Sequence, residues 1–440
     1  MLLYFCLLIN PYVAVCRTEP YFRISNFSES MRRKYESWCN RSKQKAGVLK
    51  VRPIIQGGRK HKMSCYLICC IAGLLLSHSV KAQKPHSFQA PNLMVETRAN
   101  YGFLIAHHLE METFNSHLPS FEFTLARATY GKNQWEVMYQ YPVMGFTYWN
   151  AWLGNPDVLG RAHAFMPYIS FPLKKSDKAE LDFRLSAGLG YLTKKFDRLE
   201  NYKYIAIGSH LNAAINLMME FRWKPVNHLQ LSGGVQLMHF SNGSMKTPNF
   251  GLNIPSVSMG AAFRINKENP YIKRTIRPKL EMFEFDGHKF LEFRVGTSFG
   301  IKDIGEVSDK RYDIIAGSFT ALKSISYKSK AGLALDLSYD GSDAHYLGIK
   351  GIEYDEKYKI IKPGISIMYE VVLSRLSFPL GLGFYTGGGL NEGISYYKLG
   401  INYILIRNLY LSVNLKTHYA RADYVAFGLG YRFKVKQYWL

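Results

Sequence analysis

The alternation of polar and apolar residues is the dominant pattern of the chain from residue 93 onward. In FLEFRVGTSFGI, residues 290–301, Leu291, Phe293, Val295, Thr297 and Phe299 form one face, whereas Glu292, Arg294, Gly296 and Ser298 form the other. Successive side chains of a β-strand point to opposite sides, so this period of two predicts a strand with one apolar and one polar face. NLYLSVNLKTHY, residues 408–419, repeats the pattern. Similar runs of about 9 to 15 residues, separated by polar or glycine-bearing turns, predict an all-β fold.

The strand pattern divides into two related halves. AAINLMMEFRWKPVNHLQLSGGVQLMHFSN, residues 213–242, is similar to LGINYILIRNLYLSVNLKTHYARA, residues 399–422, and His239 corresponds to His418. Each half contains about eight candidate strands, and the charged, proline-containing segment 267–287 is the best candidate for their connection. We therefore expect one β-barrel region over residues 83–268 and a second over 269–440. The halves predict either two eight-stranded barrels or one barrel of about sixteen strands.

Three further features favour an antiparallel transmembrane β-barrel over a soluble sandwich with the same alternation: the absence of cysteine, the aromatic content and a signal peptide. Residues 71–440 contain no cysteine, and aromatic residues make up 15% of the chain. Clusters such as Tyr148, Trp149 and Trp152 are typical of the aromatic girdles at membrane interfaces. The last strand ends with aromatic residues on one face, as in outer-membrane barrels: Val425, Phe427, Leu429, Tyr431 and Phe433.

A secretory signal peptide, the third feature, is predicted at residues 63–82. The basic segment GRKHK, residues 58–62, precedes an apolar run from Cys65 to Leu76 and a small-residue cleavage site that ends at Ala82. This apolar run is too short to span a membrane as a helix. Residues 1–62 are then expected to be an incorrectly assigned or unstructured N-terminal extension, with Met63 as the true start, or else a long basic leader.

The charge of the mature chain narrows the choice of partners. Residues 1–82 carry about +11 of the formal net charge of +23, which leaves about +12. A basic exported protein suits an anionic glycolipid, and no zinc-finger, RNA-recognition or basic-helix pattern points to nucleic acid. The histidines lack the spacing of metal ligands, so we expect neither a metal nor another cofactor.

His239 and Ser241 end the apolar face of a predicted strand, LQLSGGVQLMHFS, residues 229–241. Two positions along a strand is about 6.6 Å, and both side chains share a face, so an imidazole nitrogen can reach the hydroxyl. The alternative is structural: the two residues simply mark the point at which the strand leaves the membrane. Ser209 and His210 are adjacent in a probable strand, so they point to opposite faces and form a poor catalytic pair. His418 faces the polar interior.

The segment around this pair contains His239-Phe240-Ser241-Asn242, followed by Lys246, Pro248-Asn249 and Gly251. These residues resemble the motif of the lipid A 3-O-deacylase (PagL) family, which includes the acyloxyacyl hydrolases of Bacteroidetes. It implies an eight-stranded outer-membrane barrel with its active site on the lipid-facing side. It also implies Ser241 as nucleophile and His239 as general base, with Asn242, Asn249 and the backbone at Gly243 shaping the oxyanion site.

One position departs from the family pattern. Characterised members have a glutamate that orients the histidine, whereas this chain has Asn253, and no Asp or Glu lies between Ser241 and Arg264. A neutral amide can hold the imidazole tautomer but cannot stabilise the imidazolium by charge. Outer-membrane phospholipase A also has asparagine as its third catalytic residue.

The sequence therefore predicts an outer-membrane serine esterase that removes an ester-linked acyl chain from lipid A. An outer-membrane phospholipase and a non-catalytic pore or scaffold are the alternatives. Lys246 and Arg264 could pair with the phosphates of the glycolipid, although ordinary solvated roles are favoured for both. Lipopolysaccharide is the expected substrate, outer-membrane lipid the expected surroundings, and a homodimer is possible.

Overall fold

The computed structural model describes residues 93–105, 116–131, 133–265, 290–305, 310–349, 361–388, 393–419 and 421–436, with residues 112, 114 and 351. The predicted signal peptide, the N-terminal extension and the connection at 267–287 lie outside these residues. Among them, no helix is both long and apolar enough to cross a membrane.

Sixteen antiparallel strands form two closed eight-stranded barrels, which decides between the two architectures that the sequence left open. The first barrel consists of β1 (Leu93–Phe103), β2 (His117–Ala128), β3 (Val143–Trp152), β4 (Arg161–Lys175), β5 (Ala179–Leu192), β6 (Leu211–Val226), β7 (Leu229–Ser241) and β8 (Leu252–Arg264). The second consists of β9 (Phe290–Asp303), β10 (Arg311–Ser326), β11 (Ser329–Asp340), β12 (Ile361–Leu373), β13 (Leu376–Tyr385), β14 (Ser395–Ile406), β15 (Leu409–His418) and β16 (Arg421–Lys436). Two short helices, α1 (Gln134–Met138) and α2 (Gly341–Ile349), lie in connections.

The outward faces of both barrels are apolar. Phe146, Phe165 and Met259 in the first barrel are between 66% and 77% exposed, and Phe427 in the second is 59% exposed. Such a continuous apolar surface is stable in lipid and not in water. The exposed residues of β16 include Leu429, Tyr431 and Phe433, which is the face predicted from the sequence.

Buried charges fill much of the interior of the first barrel. Arg98 bonds Glu96 and Glu220, and Arg222 bonds Glu220 in turn. Arg184 pairs with Glu122 at 3.6 Å. Burying a charge is tolerated better where an opposite charge pairs with it, as for these ions, and their side chains occupy this part of the barrel interior.

An apolar cluster replaces the charges towards one end of the same barrel. Its members include Trp149, Met238, Phe240, Leu252 and Ile254, each fully or almost fully buried. Trp149 is therefore not part of an outer girdle, and that expectation is wrong, whereas Trp152 is 46% exposed. Strand alternation explains the difference, because adjacent positions such as Tyr148 and Trp149 face opposite sides.

The second barrel has its own paired interior. Arg294 forms a bidentate ion pair with Glu370, with N–O distances of 2.8 and 2.7 Å. Lys330 donates to Glu292 at 2.8 Å. A cavity of about 120 Å³ remains beside Lys416.

The connections differ between the two ends of the first barrel. One end has the tight turns 176–178 and 227–228 together with the connection 129–142, which contains α1, whereas the other end has the longer loops 193–210 and 242–251. Outer-membrane barrels have short periplasmic turns and longer extracellular loops. We therefore expect the end with the loops 193–210 and 242–251, to which β7 carries His239 and Ser241, to be the extracellular end.

Candidate active site

His239 and Ser241 lie at the end of β7, which pairs with β6 and β8. Their neighbours Met238 and Phe240 are completely buried inside the barrel, while Val235 and Leu237 face outward. His239 and Ser241 are half-buried and belong to the outward set. The structure thus brings both to the outer wall of the barrel, at the end with the loops 193–210 and 242–251.

The His239 ring is held by the adjacent strand. Its Nδ1 atom lies 2.7 Å from Oδ1 of Asn253, the residue directly opposite on β8. An amide oxygen accepts only, so Nδ1 carries the proton and Nε2 is the nitrogen able to accept one. Gly251 leaves room for the ring: a Cβ there would lie 3.1 Å from Cε1 of His239, and its φ is +83°.

The Ser241 hydroxyl contacts the loop that follows it, residues 242–251, which we call the site loop. Its Oγ donates to Oδ1 of Asn249 at 3.2 Å and accepts from Nδ2 of the same residue at 3.1 Å. The backbone N–H of Gly243 also donates to Oγ, at 3.2 Å. Two N–H donors therefore converge on the hydroxyl oxygen.

The side chain of Asn242 bonds Ser209 and the site loop instead of the Ser241 hydroxyl. Its Nδ2 donates to Oγ of Ser209 at 2.7 Å and to the backbone oxygen of Lys246 at 2.8 Å. Its backbone N–H donates to Oδ1 of Asn249 at 2.9 Å. The side chain is buried, and its hydrogen bonds fix the curvature of the site loop.

Residues 204–209, which we call the supporting segment, hold the other side of the site loop. Ile207 forms an isolated β-bridge with Asn249, and Gly208 donates to the backbone oxygen of Pro248 at 2.7 Å. Tyr204 is fully buried, and burial raises the pKa of its hydroxyl. Sequence reasoning missed this segment because it has no strand periodicity. Ser209 was assigned to a strand, which is wrong, since β6 begins at Leu211.

Other residues singled out from the sequence lie elsewhere. Nε2 of His418 lies 2.9 Å from the hydroxyl of Tyr385, beside the interior of the second barrel. Arg264 ends β8, about 40 Å along the strand from the site loop. Lys246 pairs with Asp303 at 3.7 Å. In the described part of the chain, no group of three His, Cys, Asp or Glu residues could hold a metal ion.

Solved structures similar to this chain include outer-membrane barrels. Neisserial surface protein A is 9% identical and aligns with a TM-score of 0.27, covering 39% of this chain and 97% of its own. The outer-membrane enzyme PagL is 16% identical with a TM-score of 0.24, covering 38% and 97%. A triple mutant of the Rhodopseudomonas blastica porin is 8% identical with a TM-score of 0.15, covering 78% and 99%. No curated protein matches the chain.

Two family models match the chain, one in each barrel. Residues 121–262 match the lipid A 3-O-deacylase (PagL) model. Residues 291–435 match the C-terminal domain of acyloxyacyl hydrolases. Together they span about two thirds of the chain, and each falls within the strands of one closed barrel. The chain therefore belongs to the PagL family of lipid A deacylases, which are carboxylic-ester hydrolases of the bacterial outer membrane.

Proposed function

We propose that the protein cleaves an acyl ester of lipid A with Ser241 as nucleophile and His239 as general base. The observation that carries this proposal is the 2.7 Å contact between His239 and Asn253 beside an outward-facing serine. That contact defines which ring nitrogen can accept the hydroxyl proton.

The first step is attack by the serine oxygen. Nε2 of His239 takes the proton of Ser241 as Oγ bonds to the ester carbonyl carbon. Asn253 accepts from Nδ1 throughout and keeps the ring oriented. Unlike a carboxylate, it adds no charge opposite the imidazolium, so the histidine relies on orientation alone.

The developing oxyanion needs donors close to Ser241. The N–H of Gly243 and the Nδ2 of Asn249, at 3.2 and 3.1 Å from Oγ, are the nearest described donors. Preorganised donors of this kind contribute most where water is excluded. We assign the oxyanion site to these two groups and assign Asn242 to holding the site loop.

The tetrahedral intermediate then collapses to an acyl-enzyme. Its carbonyl reforms as the bond to the sugar oxygen breaks, and His239 returns the proton to that oxygen. A water molecule, activated by the same histidine, releases the fatty acid and restores Ser241. Because the pair lies on the outer wall, lipid A can react without leaving the bilayer.

The test is mass spectrometry of lipid A and phospholipids from outer membranes that contain the protein, Ser241→Ala or His239→Ala. Ser176→Ala and His228→Ala are matched controls, because both residues are exposed in turns at the opposite end of the barrel. We expect lipid A to lose one acyl mass with the parent and both controls, but with neither site variant. Unchanged lipid A with a folded parent would refute the proposal.

The same spectra separate the rival functions. A phospholipase would produce lysophospholipid and leave lipid A intact, and the outward-facing His–Ser–Asn arrangement is also compatible with this activity. A pore or scaffold would leave both lipids intact, although the ion pairs inside the first barrel argue against a pore. The possible homodimer stays a prediction, which chemical crosslinking in intact membranes would test.

A further inference from the structure

The second barrel contacts the site loop through a buried carboxylate at the end of β9. Asp303 is 3% exposed, and its Oδ1 accepts from Oγ1 of Thr247 at 2.8 Å. Its Oδ2 accepts from the backbone N–H of Thr247 at 3.3 Å and pairs with Lys246 at 3.7 Å. Its own backbone N–H donates to the oxygen of Ser244 at 2.9 Å. One residue of the second barrel thus bonds three residues of the loop.

Strand β16 of the second barrel supplies further contacts. Oγ of Ser244 donates to the backbone oxygen of Ala422 at 2.8 Å. A Cβ on Gly243 would lie 2.2 Å from Cγ2 of Val425, so the loop approaches β16 closely at this glycine. Gly243 and Ser244 have φ values of +61° and +65°. Both residues adopt the left-handed conformation at the point where the loop touches the second barrel.

The loop residues held in this way adjoin the two donors around Ser241. Gly243, whose N–H donates to Oγ, precedes Ser244, and Asn249 follows Thr247 by two positions. A shift of about 1 Å in catalytic geometry can lower a rate by about 100-fold. The contacts therefore connect the second barrel to the positions of both donors.

We propose that Asp303 is a positioning residue for the active site, so that the second barrel holds the site loop in its productive geometry. This inference rests on the proposed role of Ser241. Asp303 itself touches no reacting atom and acts through Thr247 and Lys246. The second barrel is then a functional part of the esterase site.

The experiment compares Asp303→Asn and Asp303→Ala with Asp313→Asn in the full chain. Asp313 is an exposed carboxylate near the start of β10, at the end of the barrel where Asp303 lies, so it controls for the loss of charge. Three quantities are measured on purified, folded protein: kcat for lipid A, KM for lipid A, and the rate at which an alkyl fluorophosphonate labels Ser241. Heat-modifiable migration in gels confirms that both barrels are folded.

We expect Asp303→Ala to lower both kcat and the labelling rate by about 10- to 100-fold, with KM changed by less than about twofold. Asp303→Asn keeps one acceptor oxygen, so its effect should be smaller, and Asp313→Asn should match the parent. A folded Asp303→Ala protein with parental kcat and labelling would overturn the inference. So would a change confined to KM.

A double-mutant cycle with Thr247→Val tests the route of the effect. If Asp303 acts through Thr247, the kcat of the double variant should be at most about twofold below that of the slower single variant. Fully multiplicative losses would overturn this route. Failure of the proposed function is distinguishable, because Ser241→Ala would then retain deacylation whatever Asp303 does.

Discussion

Replacing Asn253 by aspartate should increase catalysis, because it would add the charge that the site lacks. Oδ1 of Asn253 lies 2.7 Å from Nδ1 of His239, and a carboxylate has the same shape and can accept the same hydrogen bond. In the proposed mechanism the ring becomes an imidazolium during attack. Two opposite unit charges about 4 Å apart interact by about 4 kcal/mol at an effective dielectric constant of about 20.

Part of this energy is lost, because His239 is half-buried and the new carboxylate gives up some hydration. We expect about 1.4 to 2.7 kcal/mol to remain, which corresponds to an increase in kcat of about 10- to 100-fold. The assay is release of fatty acid from lipid A in mixed micelles by Asn253→Asp and parent. Asn227→Asp, which adds the same charge in a turn at the opposite end, is the control, and Asn253→Leu should be slower than the parent. An unchanged or lower kcat for folded Asn253→Asp would refute the assigned role of this residue.

Three substitutions test other parts of the structure. Gly251→Ala should abolish most activity, because its Cβ would press on the His239 ring and its φ of +83° disfavours a side chain; fluorophosphonate labelling of the variant checks this. Asn249→Ala removes a donor 3.1 Å from the serine oxygen and should lower kcat by about 100- to 1000-fold with a folded barrel, whereas an unchanged kcat would exclude it from the oxyanion site. Arg98→Met leaves Glu220 with one partner fewer inside the barrel and should lower the free energy of unfolding by about 3 to 5 kcal/mol in urea titrations; a loss below about 1 kcal/mol would contradict the ion-pair assignment.

Strand periodicity was sufficient to predict the all-β fold and which side chains of β7 point outward. The period of two depends only on backbone geometry, and residues 229–241 keep it without a bulge, so the position of His239 and Ser241 on the outer face follows directly. The same rule explains why Trp149 was placed wrongly: an aromatic cluster in sequence was taken as one surface, although neighbours in a strand diverge. Barrel number could not be predicted, because closure depends on which distant strands pair.

The surroundings of the site were harder to predict from sequence. The supporting segment is irregular, and its bonds to the site loop depend on where two loops of the first barrel meet. Asp303 belongs to the other barrel and reaches Thr247 only through the docking of two separately closed sheets. Neither contact leaves a periodic pattern, since both are set by packing between elements distant in sequence.

The outward placement of Ser241 has a consequence for how the reaction should be measured. In the proposed mechanism Ser241 is a nucleophile on the wall of a barrel and meets lipid A by lateral diffusion within the membrane, so the encounter is two-dimensional. The relevant concentration is then the mole fraction of lipid A at the surface, and inert lipid or detergent lowers the rate by surface dilution even when the bulk concentration is constant. The composition of the membrane around the first barrel thereby becomes part of the kinetics of the protein.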